Sequence, residues 1–202
     1  MIYILDYGVG NIGSLRDCLD EIEEEHKVLT RQESLQRSDR LILPGVGAYG
    51  AAMQNLRDKN LFGFVNSVMH SRIPVLGVCL GMQLLFEEST EFGRHKGFAV
   101  MSGTVSKFDN KLNLKIPRIG WAQITKLQNH PILAGISEND YFYFLHSYSC
   151  PLNSSTVAST DYGGEYAAVV GARNVIGVQF HPEKSGKPGL QILRNFANYT
   201  YD

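Results

Sequence analysis

Cys79 stands between two glycines in Gly77-Val78-Cys79-Leu80-Gly81, directly after the apolar run "IPVLGV". A sulfur at a sharp strand-to-helix turn is open to substrate and faces the positive end of the next helix, which favours a thiolate. The turn sets the sulfur at the start of the following helix. It also offers the backbone N–H of Leu80 to a developing oxyanion. A thiolate nucleophile needs a base that later protonates the leaving group, and that base needs an orienting partner. His181, in "VIGVQFHPEKS", follows an apolar strand and has Glu183 two residues on, with Pro182 restricting the backbone between them. Cys79, His181 and Glu183 are thus a candidate nucleophile, base and orienting acid. The side-chain-poor turn Pro44-Gly45-Val46-Gly47 also follows an apolar strand. It can aim backbone N–H groups around Val46 and Gly47 at the same oxyanion. It lacks the Gly-Lys-Ser/Thr ending of a phosphate loop.

Other residues of these types read differently. Cys18 lies in a helical apolar stripe and Cys150 precedes Pro151, so both read as small core residues. With three cysteines and no CxxC pair, neither a disulfide framework nor a thiolate zinc site is expected. His26, His70, His95 and His130 sit in polar or turn settings and read as solvated, whereas His146 in "FYFLHSYSC" ends a strand and reads as a wall of the site. Gly8, Gly10 and Gly13 have the G-x-G-x-x-G spacing of a dinucleotide loop, with Glu33 twenty residues beyond Gly13. Because Glu33 misses the end of the second strand, the glycines read instead as a close-packed turn that presents Asn11.

The elements that must position these groups follow from periodicity. "MIYILDYG", "HKVLT", "RLILPGVG" and "IPVLGV" read as strands, the third stopped by Pro44. Residues 12–24 and two pieces of 49–71 have helical spacing, and "LGMQLLFEE" reads as a helix by residue preference. Beyond residue 96, segments near 98–108, 112–124, 141–149, 155–160, 166–172 and 174–180 read as strands, expected as antiparallel additions, and "GLQILRNFANY" as a closing helix. The early alternation predicts an α/β sheet with helices on both faces, in one domain spanning 1–202. A net charge of −1 gives no field for nucleic acid or anionic lipid, and charges interrupt every apolar run. With no basic-then-apolar leader, a cytoplasmic protein is expected.

"PGVGAYG", "GVCLGMQ", "FLHSYS" and "QFHPEKS", in this order, resemble the class I (triad) glutamine amidotransferases. The resemblance runs from residue 2 to about 197 and implies that family's three-layer, flavodoxin-like fold, with a mostly parallel central sheet and a nucleophile elbow. It implies hydrolysis of the side-chain amide of L-glutamine by Cys79, His181 and Glu183, with no cofactor and no metal. Val46, Gly47 and Leu80 match oxyanion positions. Gln83, Glu91, His146, Ser147 and Tyr148 match substrate-binding positions, and a solvated helix-end acid is the plain alternative for Glu91. The family passes its ammonia to a synthase subunit. In the most similar branch that subunit is a (β/α)₈ barrel forming a heterodimer, and Asn11, Trp121, Tyr143 and Lys184 match positions at the joint, with His146, Ser147 and Tyr148 nearby. An ordinary core tryptophan is the alternative for Trp121. Arg118-Ile119-Gly120-Trp121-Ala122 departs from the His-Met-Gly-Trp-Asn usual in that branch. A sister branch feeding a sugar-modifying enzyme of surface polysaccharides therefore stays open, as do a cysteine peptidase or esterase and a non-catalytic binding module.

Overall fold

The computed structural model describes residues 1–109 and 114–201. Its first part runs β1 (Ile2–Leu5), α1 (Ile12–Glu21), β2 (His26–Leu29), β3 (Arg40–Leu43), α2 (Tyr49–Asp58), α3 (Phe62–Met69), β4 (Val75–Val78) and α4 (Leu80–Gln83). There follow β5 (Phe86–Ser89), β6 (His95–Lys96), β7 (Met101–Lys107), β8 (Arg118–Ala122), β9 (Thr125–Lys126), β10 (Phe142–His146) and β11 (Tyr148–Ser149). The chain ends with β12 (Thr156–Asp161), β13 (Glu165–Ala172), β14 (Val175–Val178) and α5 (Gly186–Ala197).

The main sheet has the order β2-β1-β3-β4-β14-β13-β12-β9. Its first five strands are parallel, and β13, β12 and β9 extend it antiparallel. Strands covered on both faces carry apolar residues at every position, and IYIL, VLGV and VIGV follow that rule. Their alternate side chains divide between two cores. Ile4, Ile42, Leu76 and Ile176 pack with Leu15 and Leu19 of α1 and Leu193 and Phe196 of α5. Leu5, Leu41, Leu43 and Val75 pack with Met53 and Leu56 of α2 and Val65 and Met69 of α3. The result is the expected helix–sheet–helix sandwich. Among the described residues, no helix is long and apolar enough to cross a membrane.

Two expectations fail. The helix read into "LGMQLLFEE" stops at Gln83, and Phe86–Ser89 is a strand between β7 and β6. Leu84, Leu85 and Phe86 are all fully buried, and a helix can bury only one stripe of such a run. Tertiary burial therefore overrides local preference. Two pairings among the expected antiparallel additions are also parallel, β5 with β7 and β14 with β4, and the second places β14 within the central sheet. Within the strand expected at 112–124, residues 112 and 113 lie outside the described set, and the ordered strand is Arg118–Ala122.

Candidate active site

In an open parallel sheet, ligands collect beyond the carboxyl ends of the strands, near the point where strand order reverses. Here β1 and β3 are neighbours on either side of that reversal. The loops after β1, β3, β4 and β14 carry Gly8–Asn11, Pro44–Gly47, Cys79 and Gln179–His181. A Cβ on Gly10 would lie 3.0 Å from the Pro44 ring, so the first loop is packed on the second. Tyr7 Oη donates to the Pro44 carbonyl at 2.6 Å and fixes that loop from below.

Cys79 links β4 to α4 with φ +52° and ψ −107°, a conformation rare for a residue with a side chain. The flanking glycines make it fit. A Cβ on Gly77 would come within 2.6 Å of the Gly81 carbonyl oxygen, and one on Gly81 within 1.9 Å of the Leu43 carbonyl oxygen. The helix therefore lies directly on the strands, and the sulfur is held at their end. The Cys79 thiol points to the Leu145 carbonyl at 3.7 Å, and Gln179 Nε2 donates to the sulfur at 3.7 Å.

His181 lies beside the Cys79 turn because β14 adjoins β4 in the sheet, with Val178 opposite Val78. Its N–H donates to the Tyr143 carbonyl at 2.9 Å, and Ser185 Oγ donates to its carbonyl at 2.6 Å. Pro182–Lys184 form one turn of 3₁₀ helix, which brings Glu183 Oε1 to 2.9 Å from His181 Nδ1. Both side chains are buried. Burial alone would lower the His181 pKa, but the interactions with Cys79 and Glu183 outweigh it and push it up to about 10. Glu183 on Nδ1 leaves Nε2 as the working nitrogen, and among the described residues Nε2 has no hydrogen-bond partner.

A cavity of about 220 Å³ opens over these groups, lined by Val46, Gly47, Cys79, Leu80, Gln83, Glu91, His146, Ser147, Tyr148 and His181, with Pro117 and Leu145 added. Every residue that the motifs nominate for oxyanion or substrate contact thus lies on one wall system. Gln83 Nε2 donates to the Tyr148 carbonyl at 3.0 Å and to Gln179 Oε1 at 3.2 Å. Glu91 follows β5 rather than ending a helix, and its Oε2 accepts from the Tyr49 N–H at 2.6 Å.

The residues matched to a joint lie elsewhere on the surface. Trp121 is 55% exposed and so is not a core tryptophan. It stands edge-on to Tyr143, whose ring carries Lys184 Nζ at 5.8 Å. Asn11 caps the start of α1 by position, without a side-chain capping bond. Of the four histidines expected in solvent only His70 is fully exposed. His26 and His95 are half-buried, and His130 accepts from the Ile132 N–H and stacks on Tyr199.

Gln179 opens the motif "QFHPEKS" but is given no role there. Its signal is a polar residue inside the buried run Val175–Phe180, where an uncharged amide must find partners. Cys18 and Cys150 are unpaired. Burial, then the carboxylates of Glu183, Glu21 and Asp17, push the Cys18 thiol up to about 11, and burial pushes Cys150 well up. Among the described residues no group of three or more His, Cys, Asp or Glu side chains could hold a metal.

A family model described as "Glutamine amidotransferase class-I" matches residues 3–199. The chain belongs to that family. It is 40% identical, over 98% of each chain, to "Imidazole glycerol phosphate synthase subunit HisH" of Sulfurimonas denitrificans. It is 42% identical, again over 98% of each, to the protein of that name from Methanocaldococcus jannaschii. Among solved structures, PurLQS from Thermotoga maritima superposes with a TM-score of 0.73 at 15% identity, over 98% of this chain and 97% of that one. A crystal structure of a glutamine amidotransferase gives 0.71 at 16%, over 96% and 98%. At such identities the superpositions speak for the amidotransferase fold alone.

Proposed function

We propose that this chain is the glutaminase subunit of imidazole glycerol phosphate synthase. It would hydrolyse L-glutamine and pass ammonia to a (β/α)₈-barrel subunit that makes imidazole glycerol phosphate and AICAR in histidine biosynthesis. The observation that carries the reaction is the buried Glu183–His181 pair, 2.9 Å apart, at the end of the strand beside the Cys79 turn. Nearly full-length likeness to proteins named as the HisH subunit supports the pathway.

The Cys79 sulfur attacks the amide carbon, and the oxygen takes negative charge against the backbone N–H groups of Leu80 and the Val46–Gly47 turn. His181 Nε2 then delivers its proton to the amide nitrogen, the C–N bond breaks, and ammonia leaves a thioester on Cys79. Water adds to the thioester with its proton going to His181, and glutamate departs as the sulfur is released. Glu183 holds the ring with Nδ1–H toward itself throughout. Glu91 and the His146-Ser147-Tyr148 wall receive the amino-acid end. Asn11, Trp121, Tyr143 and Lys184 meet the partner subunit, which keeps ammonia from protonating in water.

The departure at Arg118 and Ala122 favours a second reading, in which the ammonia feeds a sugar amidotransferase of surface polysaccharide synthesis. One experiment separates the two. The chain is mixed with each candidate synthase and amide-labelled glutamine, and the label is followed into product. Label in imidazole glycerol phosphate is expected. Label appearing only in an aminated sugar overturns the histidine reading, and label in neither product with intact glutamine overturns glutaminase function.

A further inference from the structure

Arg118 is buried and stands next in sequence to the cavity-lining residue Pro117. Its guanidinium lies over the Phe144 ring, 4.2 Å from the centroid, with the rings of Tyr162 and Tyr166 at 5.1 and 5.5 Å. One arm donates to Tyr166 Oη and the other reaches Thr160 Oγ1 at 3.4 Å. Tyr166 Oη is 3.1 Å from His146 Nε2, and His146 Nδ1 is 2.8 Å from the Tyr148 carbonyl.

The proton positions in this chain follow from its two ends. A carbonyl can only accept, so His146 Nδ1 carries the hydrogen and Nε2 presents a lone pair. Tyr166 must then donate to Nε2, which leaves its oxygen to accept from Arg118, a cation that does not give up its proton. The chain runs one way, from guanidinium to phenol to imidazole to carbonyl. Its last member is the Tyr148 carbonyl, which also accepts from Gln83 Nε2. Two donors from different elements therefore pin the peptide that follows Ser147 and Tyr148, both on the cavity wall.

We propose that Arg118 and Tyr166 are positioning residues for substrate. Through His146 they fix the Tyr148 carbonyl, so that the His146-Ser147-Tyr148 wall holds the shape that receives an α-amino acid. The proposal rests on the glutaminase reading and adds residues to which no motif gives a role.

The test uses the full chain bound to its synthase partner, with that partner's ligand present, and two alkylating probes. The diazoketone analogue of L-glutamine must seat its amino-acid end before it labels Cys79, whereas iodoacetamide needs only the sulfur. In Tyr166→Phe the ring under Arg118 stays and the hydroxyl goes. Its half-saturating diazoketone concentration is expected to rise roughly tenfold, the effect of one lost buried hydrogen bond, with the iodoacetamide rate unchanged. Arg118→Lys, which keeps the charge but loses the fork, shifts in the same direction. Thr160→Val removes the other Arg118 acceptor without touching the chain to His146 and leaves both probes at parent values. An unchanged half-saturation in Tyr166→Phe overturns the proposal, as does an equal rise in Thr160→Val, which would mark a merely structural effect. A parent chain that takes iodoacetamide on Cys79 but never the diazoketone overturns the glutaminase reading as well.

Discussion

At the scale of single residues, the site separates one sulfur from two others and one histidine from another. Cys18 and Cys150 have thiols pushed up by burial, so iodoacetamide near neutral pH is expected to alkylate one cysteine, and Cys79→Ser to abolish labelling together with glutaminase activity. Peptide mapping checks the position, and labelling of Cys18 or Cys150 instead would remove the sulfur from the mechanism. His181 and His146 shift in opposite senses. His181 rises from 6.5 to about 10 through Cys79 and Glu183, against the effect of burial. Between those values the folded chain holds a proton that the unfolded chain has lost, so this contribution to stability is full below pH 6.5 and is lost as pH climbs through 10. His146 falls from 6.5 to about 3, by burial first and then, against its bond to Tyr148, by the charges of Arg118 and His181. The unfolded chain takes up that proton first, so stability is lost as pH drops below 6.5. Urea midpoints against pH should therefore lose part of their alkaline decline in Glu183→Gln and part of their acid decline in His146→Gln.

At the scale of elements, the turn around Cys79 depends on two absent side chains. Gly81→Ala drives a Cβ into the Leu43 carbonyl, 1.9 Å away, and α4 cannot lift without pulling the nucleophile off β4. Destabilisation of roughly 3 kcal/mol or more is expected, at the upper end for overpacking, read as a lower urea midpoint. The same geometry explains what the sequence made legible. Gly77, Cys79 and Gly81 are visible because the elbow permits few residues, and His181 and Glu183 because the partners are two residues apart. The strands β1, β3 and β4 were legible because burial on both faces leaves continuous apolar runs, whereas the parallel pairing of β14 depends on β4, far back along the chain. What stayed hidden depends on neighbours distant along the chain. Phe86–Ser89 is a strand only because β7 and β6 flank it, and its Leu-Leu-Phe approach reads equally well as helix. Arg118 shows locally only as a departure from a motif, Gln179 only as the first residue of one and Tyr166 not at all, and their contacts come from partners on other elements.

At the scale of the whole molecule, the surface around β8 is the one the proposed partner subunit would cover. Ile119 and Trp121 are large apolar side chains exposed on one strand, with Tyr143 and Lys184 beside Trp121. Trp121→Ala is expected to change stability by no more than about 0.5 kcal/mol. It should weaken association with the barrel subunit by about 2 kcal/mol or more, the mark of a buried aromatic anchor, as titration calorimetry would register. Equal binding by the variant would move the joint to another face. Glutamine turnover by the chain alone is expected to be weak or absent and to rise strongly with the barrel subunit and its ligand. High turnover without a partner would contradict coupled release. Strand order carries one more consequence. β14 lies between β4 and β13 in the middle of the sheet, yet it is the last strand to be synthesised. Until it inserts, a nascent polypeptide carries the nucleophile but no base, and β4 and β13 both expose unpaired edges. A nascent chain therefore carries Cys79 without its base until His181 and Glu183 follow β14, and messages truncated before Val175 would yield adhesive fragments rather than slow enzymes.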